Sequence, residues 1–219
     1  MDYDKLFSKP RMSTYRKLAS NEHHAQRLYQ WNIDISSALY ESLVLIEIPL
    51  RNTMDNSLKL INQTFPDTDG TLHSSDWTKD PNSLISSIIP TFTISKVKNH
   101  LNVKPELITH DDIVAQLTFG TWRYIFPSRE DHRKILLWEQ GLNTAFSLKD
   151  YSQKQLTTDV KRLHIARNRV AHAEPLLQAK FTTNVMKSLY RVAGSIDPKL
   201  ERYIKSTQRV TRVNKLRPR

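Results

Sequence analysis

The 219-residue sequence contains no cysteine. That excludes disulfides, thiolate nucleophiles and cysteine-ligated zinc, and it is compatible with a reducing cytoplasm. Glycine is scarce, with 4 in the whole chain, and long runs lack turn residues, which favours helices over strands. No apolar run reaches the roughly 20 residues needed to cross a bilayer, and Met1 to Pro10 lacks the apolar core of a signal peptide. A soluble, cytoplasmic protein with no membrane attachment is expected. There is also no GxxxxGK phosphate loop, so no nucleotide-hydrolysing motor is implied.

Negative charge is the next shortage. Against 33 Lys and Arg stand 22 Asp and Glu, a formal net charge of +11. Such an excess supplies sequence-independent attraction to a phosphate backbone, although a basic surface also keeps a protein soluble by repulsion. The distribution favours the first use. From Lys205 to Arg219, KSTQRVTRVNKLRPR has six basic residues and no acidic one. This pattern is that of a basic arm, with Lys205, Arg209, Arg212, Lys215 and Arg217 as RNA contacts. Its few apolar residues predict a flexible or RNA-ordered tail (205–219) after a single domain (1–204).

The periodicity within that domain predicts an all-α bundle. Ser13 can cap a helix to about Gln30. A longer pattern from about Ile33 to Phe65 repeats Ile35, Leu39, Leu43, Ile46, Leu50, Met54, Leu58 and Ile61 at helical spacing, with a kink expected at Pro49. Residues 66–83 read as a loop that Trp77 pins to the body. Further helices are expected over about 82–101, from the Thr109/Asp112 capping pair to Phe126, from Pro127 to Gln140, from Asp150 or Ser152 to Ala173, and over 178–193. Trp31, Phe119, Trp122, Trp138 and Phe146 are expected in the core. Packing is also preferred over base stacking for Trp77 and Tyr124. His23, His24, His100, His110, Asp111 and Asp112 form no recognised ligand pattern, so they are expected on a solvated surface, with no metal and no cofactor.

The run that carries chemistry is Leu163 to Leu177, LHIARNRVAHAEPLL. It sets Arg167, Asn168 and His172 on one helix that Pro175 must end. A metal-free ribonuclease uses the substrate's own 2′-hydroxyl as nucleophile. Such an enzyme needs a group that titrates near neutrality and a permanent cation for the phosphate; His172 and Arg167 supply these. Residues four apart share a helix face, so Asn168 is expected to orient the His172 imidazole. Arg169 adds a further RNA contact, and Glu174 is within reach of Arg167 or Arg169. A second spacing match, Arg16 with His23, is followed by no proline and is read as coincidence.

The run RNRVAHAEP resembles the R-x4-6-H motif of HEPN-domain ribonucleases, and three further blocks narrow the resemblance to the Abi-like family of abortive-infection proteins. Tyr29 to Asn52 is similar to that family's WN..LS.AL....L...E..LRN signature, through Trp31, Asn32, Ser36, Leu39, Glu47, Leu50, Arg51 and Asn52. Ile113 to Phe126 resembles its LTFGFW block, and Leu136 to Phe146 its LW....AF block. Two departures are Ala173, where a second His is common, and Pro49 before LRN. The resemblance implies an all-α HEPN-like bundle that pairs two motif helices across a homodimer. It also implies a metal-independent endoribonuclease toxin of phage defence or a toxin–antitoxin system, restrained by a protein or by a small structured RNA. Arg167, Asn168 and His172 would be catalytic. Glu47, Arg51, Asn52 and Glu174 would support them, with a Glu47–Arg51 ion pair as the simpler role for the LRN face. One alternative is a non-catalytic RNA-binding HEPN module that sequesters RNA or builds a ribonucleoprotein; another is a protein-docking HEPN fold.

Overall fold

The computed structural model describes residues 1–101, 103–149, 151–178 and 180–219. Among these residues there are twelve α-helices and no strand: α1 (Tyr3–Phe7), α2 (Lys9–Arg16), α3 (Glu22–Thr64), α4 (Ser83–Ile88), α5 (Thr91–His100), α6 (His110–Gln116), α7 (Phe119–Ile125), α8 (His132–Glu139), α9 (Gln153–Ala171), α10 (Phe181–Ile196), α11 (Pro198–Thr207) and α12 (Val210–Lys215).

Helix α3 is the axis of the bundle. At 43 residues it runs roughly 65 Å at 1.5 Å per residue. Its stripe from Ile35 to Ile61 lies wholly in the core, and α2, α7, α9, α10 and α12 pack along it. It starts at Asn21, whose side chain accepts the His24 amide, rather than at Ile33. The helix expected from Ser13 to Gln30 is therefore divided: α2 ends at Arg16 and the rest of that pattern belongs to α3. Pro49 sits within α3, which continues for 15 residues beyond it.

The polar loop 66–82 is pinned as expected. Trp77 is buried to 1 % and donates its indole N–H to Asp55 Oδ1 at 2.8 Å. Beyond it, two expected helices are divided and a third starts later. Pro90 divides the 82–101 segment into α4 and α5, Thr118 caps a new helix within the 109–126 segment, and Pro127 precedes α8 by several residues, with Asp131 as its cap. The Thr109/Asp112 capping box forms as expected, and α9 starts at the expected Ser152, where Gln155 completes a second capping box; the alternative start at Asp150 lies outside the described residues. Trp31, Phe119, Trp122, Trp138 and Phe146 are all buried, whereas Tyr124 is 63 % exposed, with the Lys134 ammonium 4.2 Å from its ring centroid.

The flexible tail is the main correction. Lys205 lies in the last turn of α11, and α12 folds back on α3, where Val210 and Val213 are buried. The Trp31 indole N–H donates to the Val213 carbonyl at 3.0 Å, Arg209 pairs with Glu41, and the Arg217 guanidinium lies 5.1 Å over the Trp31 ring. Two valines and one indole dock a segment whose own apolar content is too low to fold alone. No helix among the described residues is long and apolar enough to cross a membrane.

Candidate functional site

Helix α9 buries one stripe, Leu156, Val160, Leu163 and Ala166, and so aims its polar edge along the surface. Near its start, Asp159 anchors it to α10. This buried carboxylate accepts from Tyr151 (2.8 Å), Ser188 (2.6 Å), Arg162 (2.9 Å) and both Nε and Nη2 of Arg191 (2.7 and 2.8 Å).

The far end carries the motif. His172 is the C-cap; its amide donates to the Asn168 carbonyl at 2.9 Å and its side chain is exposed. Ala173 takes the left-handed conformation, φ 52°. The Ala173 amide bonds the Val170 carbonyl at 3.0 Å and the Glu174 amide bonds the Arg169 carbonyl at 2.8 Å, which is a Schellman closure. Three side chains lock this turn from outside. Arg11 donates to the Ala173 carbonyl (2.8 Å), Asn32 accepts the Leu176 amide (2.6 Å), and Arg169 donates to the Pro175 carbonyl. His172 is thus an exposed imidazole on a turn fixed from several sides.

Arg167 lies half-buried, with Nε 3.9 Å from Glu47 Oε2, too far for a hydrogen bond. That Nε is buried and has no hydrogen-bond partner among the described residues. Glu47 is half-buried as well; burial lifts its carboxyl above the usual range despite the nearby Arg167 and Arg51. The expected Glu47–Arg51 pair is therefore replaced by a contact between α3 and the motif helix. Arg51 instead donates to Asn52 Oδ1 (3.2 Å) and the Ala115 carbonyl (3.3 Å).

Two further expectations change. The Asn168 amide does not face His172; its Nδ2 lies 3.2 Å from Nε2 of His164, one turn earlier. Of the partners open to Glu174, Arg169 is the one it meets, at 3.2 Å, while the Arg169 guanidinium lies 4.5 Å over Phe181. Arg169 is thus engaged in holding the post-motif turn. In the C-terminal segment Lys205 pairs with Glu201, and Arg212 and Lys215 are exposed.

Beside the motif, α3 and α9 enclose a groove of about 420 Å³ lined by Ile33, Ser36, Ser37, Tyr40, Arg167 and Val170. Ser36 Oγ, like Arg167 Nε, is a buried polar atom with no partner here among the described residues. The groove continues into an exposed apolar stripe on α3, Ile33, Tyr40 and Ile48. Arg11 and Asn32, which hold the motif turn, lie far from it in sequence, so no local pattern singles out their role.

His110 departs from the solvated surface position expected of it. Its ring bridges Asp55 (2.9 Å) and Asp76 (3.0 Å) under the Trp77 edge. Asp55, His110 and Asp111 offer donor atoms close enough together for a cation. The Lys59 ammonium, 2.8 Å from Asp55 and 3.8 Å from Asp111, already balances that charge.

These features define an all-α protein with an Arg–Asn–His helix end set beside a groove that Arg167 lines. The chain belongs to the Abi-like protein family, whose model matches residues 1–178. Membership suggests a function of the abortive-infection type. No curated protein and no solved structure matches the chain.

Proposed function

We propose that this protein is a metal-independent endoribonuclease of the HEPN type, acting as a toxin in phage defence or a toxin–antitoxin system. The observation that carries the reading is Arg167: a half-buried side chain that lines an open groove and makes no hydrogen bond to the described residues, five residues from the exposed imidazole of His172. A guanidinium in that state is suited to a phosphodiester oxygen.

In the proposed reaction the ribose 2′-oxygen attacks the adjacent phosphorus as its proton leaves. The P–O5′ bond breaks and the departing 5′-oxygen takes up a proton, leaving a 2′,3′-cyclic phosphate. His172 serves one proton step and Arg167 neutralises the crowded phosphorane. The second imidazole comes from a symmetry-related motif helix in a homodimer. The exposed Ile33, Tyr40 and Ile48, continuous with the groove, supply an apolar face for that pairing. Arg212 and Lys215 extend the basic surface toward RNA, as substrate or as a structured antitoxin RNA. Cytoplasmic RNA is the expected substrate.

The test compares wild type, His172→Ala and Arg167→Ala on mixed RNA in EDTA, with product ends analysed. Cleavage by wild type alone, leaving cyclic or 3′-phosphate ends, supports the ribonuclease. Binding by all three with cleavage by none replaces it with the RNA-binding module. Indifference to RNA and to salt in all three leaves the protein-docking reading.

A further inference from the structure

The imidazole of His164 is seated with unusual care for a side chain outside the Arg–Asn–His set. Its ring meets Phe119 of α7 nearly edge-on, with centroids 5.9 Å apart at 68°. A Cβ at Gly120 would stand 3.3 Å from His164 Nε2 and 3.3 Å from Thr118 Oγ1, so any side chain at this position would press on the ring. Gly120 is a poor helix former placed within a helix, and the close approach accounts for it. The second contact of the same Nε2 is the Asn168 amide at 3.2 Å.

We propose that His164 is the positioning residue of the motif helix: its Nε2 fixes the Asn168 amide in one orientation, so that Asn168 Oδ1 is presented as an acceptor to a ribose hydroxyl of bound RNA. This rests on the RNA-cleaving reading above. With Nδ2 donating, Nε2 must be the unprotonated nitrogen and the ring proton sits on Nδ1. Burial and the like charges of Arg123 from α7 and Arg167 from α9 hold the imidazole below its ordinary value, which keeps the neutral ring at neutral pH. Protonation in acid would turn Nε2 into a donor, put a third cation beside two arginines and release the amide. A histidine that only filled space between α7 and α9 would need no acceptor and would be replaceable by phenylalanine.

The experiment uses the full chain with two readouts. Imidazole nitrogen NMR shifts are compared in wild type and Asn168→Ala at neutral pH, and RNA cleavage and melting are measured for His164→Phe and His164→Gln. The expected result is one ring protonated at Nδ1 whose Nε2 signal moves in Asn168→Ala. His164→Phe should melt like wild type yet cleave on the order of 10²-fold more slowly, as a displaced site group does. His164→Gln, whose amide oxygen can accept in place of Nε2, should recover most of the rate. Cleavage by His164→Phe at the wild-type rate, or a ring signal indifferent to Asn168→Ala, overturns the proposal. If wild type binds RNA without cutting it, the ribonuclease reading fails by itself, and the same variants are scored on RNA affinity: a loss in Phe restored in Gln supports the role, and equal affinity removes it. Where the Phe variant does not fold, the ring signal decides.

Discussion

Replacing Asp159 by asparagine should destabilise the protein sharply through the motif helix. The wild-type carboxylate is 2 % exposed and receives five hydrogen bonds from Tyr151, Arg162, Ser188 and Arg191. Removing one member of a buried ionic group costs about 3–5 kcal/mol. The arginine side chains are 39 % and 47 % exposed and can turn toward water, so the lower end applies, about 3 kcal/mol. For a chain of this size each kcal/mol shifts the midpoint by about 2–4 °C, which gives a drop of roughly 6–12 °C by calorimetry at neutral pH. Burial raises this carboxyl, but hydrogen bonds from Arg191, Ser188 and Tyr151 outweigh it, and the group is held below the usual carboxylate range. Its contribution is therefore present above the unfolded value and lost as pH falls through the folded one. The gap between wild type and Asp159→Asn should close in acid, below about pH 4. A variant melting within about 2 °C of wild type at neutral pH would refute the claim that this network holds α9.

Three other outcomes follow from local geometry. Burial lowers the His110 imidazole, but its bonds to Asp55 and Asp76 prevail and raise it above its ordinary value. Its stabilisation is complete below the unfolded value of about 6.5 and fades as pH rises through the folded one; as pH rises above about 6.5, wild type should lose midpoint more steeply than His110→Gln. Ala173→Gly relieves the left-handed backbone at φ 52° and should raise the midpoint by about 1–4 °C, or about 0.5–1 kcal/mol, with no rise if the Schellman turn is absent. Tyr40→Glu places a charge in the exposed stripe on α3; sedimentation should find the 25.6 kDa monomer for the variant and twice that mass for wild type, and a wild-type monomer would remove the composite cleft.

Much of the bundle was legible because its signals are local. The α3 stripe from Ile35 to Ile61 is regular enough to show its whole buried face, and Ser152 and Thr109 mark helix starts by rules that act over three residues. The misses lie where the deciding partner is remote. Val210 and Val213 cannot form a core alone, and what folds the C-terminal segment is an indole N–H 182 residues away. The division at Pro90 was available in the sequence, since the residue before a proline is pushed out of helical conformation. The shared helix face points Asn168 to His172, but the same rule allows His164, four residues the other way, and that is the partner Asn168 has.

The WN…LRN and LTFG blocks have one physical meaning in common, which is the placement of α9. Asn32 of the WN block accepts the Leu176 amide and so fixes the chain just past the motif. Glu47, ahead of LRN, faces Arg167, and Phe119 and Gly120 of the TFG block seat His164 beneath Asn168. Arg11, outside every block, holds the Ala173 carbonyl. Each contact joins an element remote in sequence to a different position of one helix end, between residues 164 and 176. A helix needing only to fill a core is held by its apolar stripe, and α9 has that stripe in Leu156, Val160, Leu163 and Ala166. The polar contacts are additional, costly to bury, and concentrated where the stripe ends. That concentration is what a site requires and a core does not: the exposed imidazole of His172 and the unpartnered Nε of Arg167 keep their relation because α2, α3 and α7 leave the helix end no alternative position.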